Sequence, residues 1–176
     1  MSKLVEIGIS LICATIVATA LTTGIVSIAA SIDDLIWLLE NGQSISHWPL
    51  DLIFSVIGTA ALAVFFGFIG AALFLSIALF PLIRKGSQTL MIVAGGLAGF
   101  AHSIVGWGLR IADNCVGPLD PFEDIIRALG TWGGFILTDS GRQIVAIATV
   151  PASVIAGCVA GLTFFRVLKG RPHHEP

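Results

Sequence analysis

Four long apolar stretches dominate this chain, and each reaches or exceeds the roughly 20 residues that a helix needs to cross the hydrocarbon of a bilayer. They run from about 4 to 30, 50 to 83, 89 to 111 and 143 to 168, with charge at their edges: Lys3 and Glu6 at the first, Asp51 and Arg84 with Lys85 around the second. A continuous helix from Asp51 to Phe80 would be about 45 Å long against a hydrocarbon thickness of about 30 Å, so the second stretch must tilt or project. Pro81 supplies its stop.

Composition removes the competing classes. Of 176 residues, 56% are hydrophobic and only 11% charged, which leaves too little charge to solvate a water-soluble surface and too much apolar side chain for disorder. A net charge of -2 offers no basic face for nucleic acid. The fold expected is an all-α integral membrane protein: one domain over 1–176, with four transmembrane helices in a bundle. Outer loops over about 31–49 and 112–142 carry short interfacial amphipathic helices, and a tail covers 169–176.

Orientation follows from Lys and Arg. Six of the nine, Lys3, Arg84, Lys85, Arg166, Lys169 and Arg171, fall on one side, against Arg110, Arg127 and Arg142 on the other. This bias is expected to place both termini in the cytoplasm, and the membrane expected is a plasma (inner) one. Trp37, Trp48, Trp107 and Trp132 all fall at the opposite boundary, where indole rings favour the headgroup layer. A cleaved leader is the alternative for the first stretch, because Lys3 precedes an apolar run and Ala18-Thr19-Ala20 offers a small-residue cleavage site. Continuation of that run through Leu21 to Ala30 favours a retained span.

In the first outer loop, Ser31 and Asp34 have capping-box spacing and Gly42 suits a helix end, so a short separate helix is expected between them. In the second, Asp120-Pro121-Phe122-Glu123 places a carboxylate at the N-cap, proline at N1 and glutamate at N3. Phe122, Ile125, Ile126 and Leu129 then follow at helical spacing, an amphipathic face that either caps the bundle or docks a partner. Trp132 to Leu137 is apolar but too short to span, and Asp139 or Ser140 offers a cap for the last helix.

Lipid-embedded helices associate chiefly through close packing of small residues. Gly95, Gly99, His102, Gly106 and Arg110 share one stripe of the third segment, and Ala146, Val150, Ser153, Gly157 and Gly161 one stripe of the fourth. Ala60, Ala63, Gly67 and Gly70 form a third, on the second segment. Whether these stripes meet inside one chain or between subunits is open. Thr15, Thr19 and Thr22 can bond back to carbonyls of their own helix, so they need not line a path.

His102 is the one ionisable group deep within a span, which marks it for a structural hydrogen bond, a proton or substrate path, or haem or metal ligation. Haem held by two histidines would need a second ligand at similar depth, and His47, His173 and His174 all lie outside the spans. Arg110 has the reach to snorkel outward or to pair with Asp113. Cys13 and Cys158 fall within spans and Cys115 in an outer loop, without redox or zinc spacing. Acidic residues outnumber basic ones on the outer side, but Asp113 to Asp124 lacks the pattern of a calcium loop.

No nucleophile elbow, zinc-protease, phosphate-loop or dinucleotide motif is present. The expectation is a noncatalytic structural or accessory subunit without cofactor or metal, whose partners are the bilayer and other membrane subunits or further copies of itself. The alternatives are a small oligomeric transporter or channel with His102 in its pathway, and a haem-bearing subunit.

Overall fold

The computed structural model describes residues 3–116 and 143–170, with side chains placed throughout except at Phe66, 106–116 and 143–147. Every element among the described residues is helical: α1 (Lys3–Glu40), α2 (Trp48–Leu79) with a 3-10 turn at Phe80–Leu82, α3 (Gln88–Val116) and α4 (Gln143–Lys169). Four helices are long and apolar enough to cross a membrane. The expected features of 117–142, including Phe122 to Leu129, lie outside the described residues, as do His173 and His174.

Two boundaries differ from expectation. Residues 32–40 do not form a separate helix capped by Ser31, because α1 runs unbroken for 38 residues, about 57 Å at the standard rise. No glycine or proline interrupts 25–41, and stopping at Ser31 would leave four carbonyls without helical partners. Ser31 is instead buried within the helix. Similarly, α3 continues to Val116, which puts Asp113 and Cys115 on a helix rather than in a loop.

The helix ends have local causes. Gly42 takes φ +64°, and the amides of Gly42 and Gln43 donate to the carbonyls of Leu39 and Leu38, the paired bonds of a Schellman stop. Pro81 cannot donate to an α-helical ladder, so α2 tightens into the 3-10 turn, and Gly86 at φ +59° completes the reversal with its amide on the Leu82 carbonyl. At the start of α2, Pro49 occupies the first turn and the His47 carbonyl accepts the Leu50 and Asp51 amides.

Packing follows rows of small residues four apart. Helix α4 lies against both α3 and α1, while α2 runs along α1 and touches α3 less extensively. On α1 two such rows are buried: Ser10, Ala14, Ala18, Thr22 and Val26 in one, Thr15, Thr19, Thr23, Ser27 and Ser31 in the other. Ala14 and Ala18 join Ala71, Leu75 and Leu79 of α2, Met91 and Ala98 of α3, and Ala160 and Phe164 of α4 in one apolar core. Val26 meets Ala152 of α4 in a second, smaller one. A four-residue repeat drifts slowly around a 3.6-residue helix, so each row follows the i±4 ridge used in close helix crossings.

Candidate functional site

Two places in this structure carry more than generic packing: the contact between α3 and α4, and the surroundings of His102.

The α3–α4 contact is backbone on backbone. A Cβ built on Gly95 would fall on the Gly157 carbonyl oxygen, one on Gly99 on the Ser153 carbonyl oxygen, and one on Gly161 on that of Met91. As the α3 residue advances by four the α4 residue retreats by four, so the helices are antiparallel in a fixed register. Glycine is required because approach this close puts the α-hydrogen of one helix against a carbonyl of the other, leaving no volume for a methyl group. Beside this row, Cys158 Sγ fills the space over Gly96, 2.6 Å from where a Cβ would stand. The glycine stripes of the third and fourth segments thus meet within one chain at Gly95, Gly99, Gly157 and Gly161. On α2, Gly67 and Gly70 are buried and Ala60 and Ala63 half-buried. The buried row from Gly67 continues through Ala71, Leu75 and Leu79. Gly106 and Arg110 are placed only by their position on α3.

His102 sits near the middle of α3 and is 1% exposed. Its ring packs edge-on against Phe74 of α2, with centroids 4.8 Å apart and planes at 63°. An edge-to-face arrangement suits two aromatic quadrupoles and fixes the imidazole between α3 and α2. Ser103, the next residue, is buried and donates its hydroxyl to the Gly99 carbonyl. On α4, Thr149 and Ser153 are buried too, and the Ser153 hydroxyl donates to the Thr149 carbonyl.

Most of the buried hydroxyls with defined donors turn into their own helices. Ser10 donates to the Glu6 carbonyl, Thr15 to Leu11, Thr19 to Thr15 and Thr23 to Thr19, at 2.8 to 3.0 Å. This back-bonding satisfies the hydroxyl without a neighbouring helix. Polar contacts also cross between α1 and α2, where Ser27 and Thr59 hydroxyls lie 2.5 Å apart and the Trp48 indole N–H donates to the Ser31 carbonyl at 2.9 Å. Hydrophobic periodicity does not mark the buried face of α1, whose two buried rows are mostly serine and threonine, and it gives no sign of Phe74 against His102, since periodicity identifies a face and not what it meets.

Among the described residues no group of three or more His, Cys, Asp and Glu side chains is placed to hold a metal ion. The two described histidines do not form a haem-ligating pair: His102 is buried on α3, and His47 is exposed at the start of α2. Cys13 and Cys158 are half-buried free thiols. The expected docking residues Phe122, Ile125, Ile126 and Leu129 fall outside the described residues.

Comparison with protein-family models, curated proteins and solved structures finds no match to this chain.

Proposed function

We propose that this chain is a noncatalytic integral membrane protein: a bundle of four transmembrane helices that serves as a structural or accessory subunit of a membrane complex, with both termini cytoplasmic in a plasma (inner) membrane. The observation that carries the membrane part of this reading is the open face of α2. Phe54, Ile57, Phe65, Ile69 and Ile77 are 63–78% exposed along one helix that carries no charge between Asp51 and Arg84. In water, so long an apolar face would drive association, whereas hydrocarbon solvates it. The orientation rests on the bias of Lys and Arg: Lys3, Arg84, Lys85, Arg166 and Lys169 mark one end of the helices, against Arg110 towards the other among the described residues.

Support for a subunit role comes from where the polar groups go. The Thr15, Thr19 and Thr23 hydroxyls of α1 bond within their own helix, and Gly95 of α3 and Gly157 of α4 are used in contact with each other. Such a molecule supplies a shaped, rigid, apolar surface for membrane partners. Native mass spectrometry of untagged protein, gently extracted from its own membrane, tests the reading. Companion chains are expected, and a bare monomer in both mild detergent and lipid overturns it.

A second reading, a small oligomeric transporter or channel, is favoured by one observation: an imidazole buried mid-helix at His102, beside the buried hydroxyl of Ser103. A polar ionisable group at that depth is costly unless it serves packing or a pathway. Flux in proteoliposomes that is lost in His102→Ala would support a pathway, and flux unaffected by that change would remove it.

A further inference from the structure

At the end of the molecule that carries Arg84, Lys85, Arg166 and Lys169, one polar tie joins distant parts of the described chain. The Lys169 ammonium, at the end of α4, donates to the Gly86 carbonyl at 3.2 Å and lies 4.9 Å from the centroid of the Phe165 ring. It thereby clasps the turn between α2 and α3 to the last turn of α4. Gly86 holds that turn at φ +59°, a conformation that favours glycine. The clasp joins the turn that carries Arg84 and Lys85 to the helix end that carries Arg166, one helical turn before Lys169, and all three are exposed.

Among the described residues, cations outnumber carboxylates at this end. Of the described carboxylates only Glu6, half-buried in the first turn of α1, lies towards it. Immediately beside the cations the surface turns apolar, with Phe80 and Leu90 exposed on either side of the turn. Fixed cations at a helix end, above exposed hydrocarbon, complement a phosphodiester above acyl chains.

We infer that Arg84, Lys85 and Arg166, held together by the Lys169–Gly86 clasp, form a seat for the headgroup of an anionic phospholipid. This inference rests on the membrane reading above and adds a ligand class to it. Arginine offers paired N–H donors to phosphate oxygens, and Lys85 adds a compact charge. Lys169 is a positioning residue here, because it holds the turn.

The test is native mass spectrometry of protein equilibrated with equal amounts of phosphatidylglycerol and phosphatidylcholine, comparing the wild type with Arg84→Gln/Lys85→Gln/Arg166→Gln. Wild type is expected to retain phosphatidylglycerol preferentially, with the preference falling about fivefold for each cation removed. Millimolar inorganic phosphate is expected to leave it bound. Equal retention of the two lipids by wild type, an unchanged preference in the triple variant, or full displacement by phosphate would each overturn the inference. If the triple variant does not fold, Lys85→Gln alone gives the same reading in one smaller step. Carbonate extraction separates the two levels: protein released from membranes sinks the membrane reading, while integrated protein without lipid preference sinks only the seat.

Discussion

Gly95 and Gly157 face each other with no room for a side chain between them, since a Cβ on either would fall on the carbonyl oxygen of the other. Neither helix can yield by moving a side chain, because the obstacle on both sides is backbone.

Substitution at this contact is therefore expected to force α3 and α4 apart. Gly95→Ala and Gly157→Ala should each lower stability by about 1–3 kcal/mol, the range of overpacking in a close-fitted interior. Gly8, Gly24 and Gly58 lie on helices with nothing within 4 Å of a built Cβ, so alanine there is expected to be neutral or mildly stabilising. Thermal unfolding of the purified variants compares the two groups, and equal effects would contradict the contact.

The register of α3 against α4 extends by the same four-residue step to Ser103 and Thr149, both buried. In a background with Cys13, Cys115 and Cys158 replaced, Ser103→Cys/Thr149→Cys should cross-link within one chain under mild oxidation. Leu97→Cys/Ile155→Cys, at two exposed positions, should not. Gel mobility with and without reductant distinguishes them, and the reverse pattern would refute the register.

Truncating His102 or Phe74 should expose their mutual dependence. His102→Ala, at a buried site, is expected to cost about 2–5 kcal/mol, and Phe74→Ala, at a half-buried one, less. The double variant should lose less than the sum, with a coupling of about 0.5–1.5 kcal/mol from the lost edge-to-face pair. Strict additivity in a double-mutant cycle would show that the rings do not interact.

The back-bonded hydroxyls of α1 make a sharper test of the pathway reading than stability does. Thr15→Val, Thr19→Val and Thr23→Val preserve shape and remove only groups already bonded to their own helix, so each should change stability by less than about 1 kcal/mol. If α1 has no part in a pathway, any flux in proteoliposomes should also persist. Loss of flux with unchanged melting would place these hydroxyls on a route.

Trp48→Phe should uncouple the far ends of α1 and α2. The indole N–H to the Ser31 carbonyl is lost while the ring's apolar contact remains, at an expected cost of about 0.5–1.5 kcal/mol. Faster amide exchange around residues 31–40 in the variant would report the uncoupling, and exchange identical to wild type would count against it.

The parts of this structure that the sequence announces are those set by local chemistry. Apolar runs long enough to cross a bilayer are helices, Gly42 ends α1, and Pro81 ends the α-helical part of α2. Ser31 misleads because serine four-residue motifs mark helix starts only where the preceding chain leaves the helix, and Ala29-Ala30 gives it no reason to leave. The α3 boundary moves to Val116 for a related reason: nothing between Ile111 and Val116 breaks a helix. The site was less legible. The spacing of Gly95 and Gly99 gives a face, but the identity of the opposing backbone and the Phe74 ring against His102 arise from tertiary placement, which leaves no local mark.

The hydroxyl row on α1 also bears on the order in which this molecule can be assembled. Thr15, Thr19 and Thr23 carry their hydrogen-bond partners with them, so α1 is a complete solute for hydrocarbon as soon as it forms a helix. Yet one of the two helices it packs along most extensively, α4, is the last of the described helices in chain order. On the membrane reading proposed above, α1 would stand in the bilayer with that face open until more than a hundred further residues have been made, and its internally bonded hydroxyls would spare it from seeking another polar partner there.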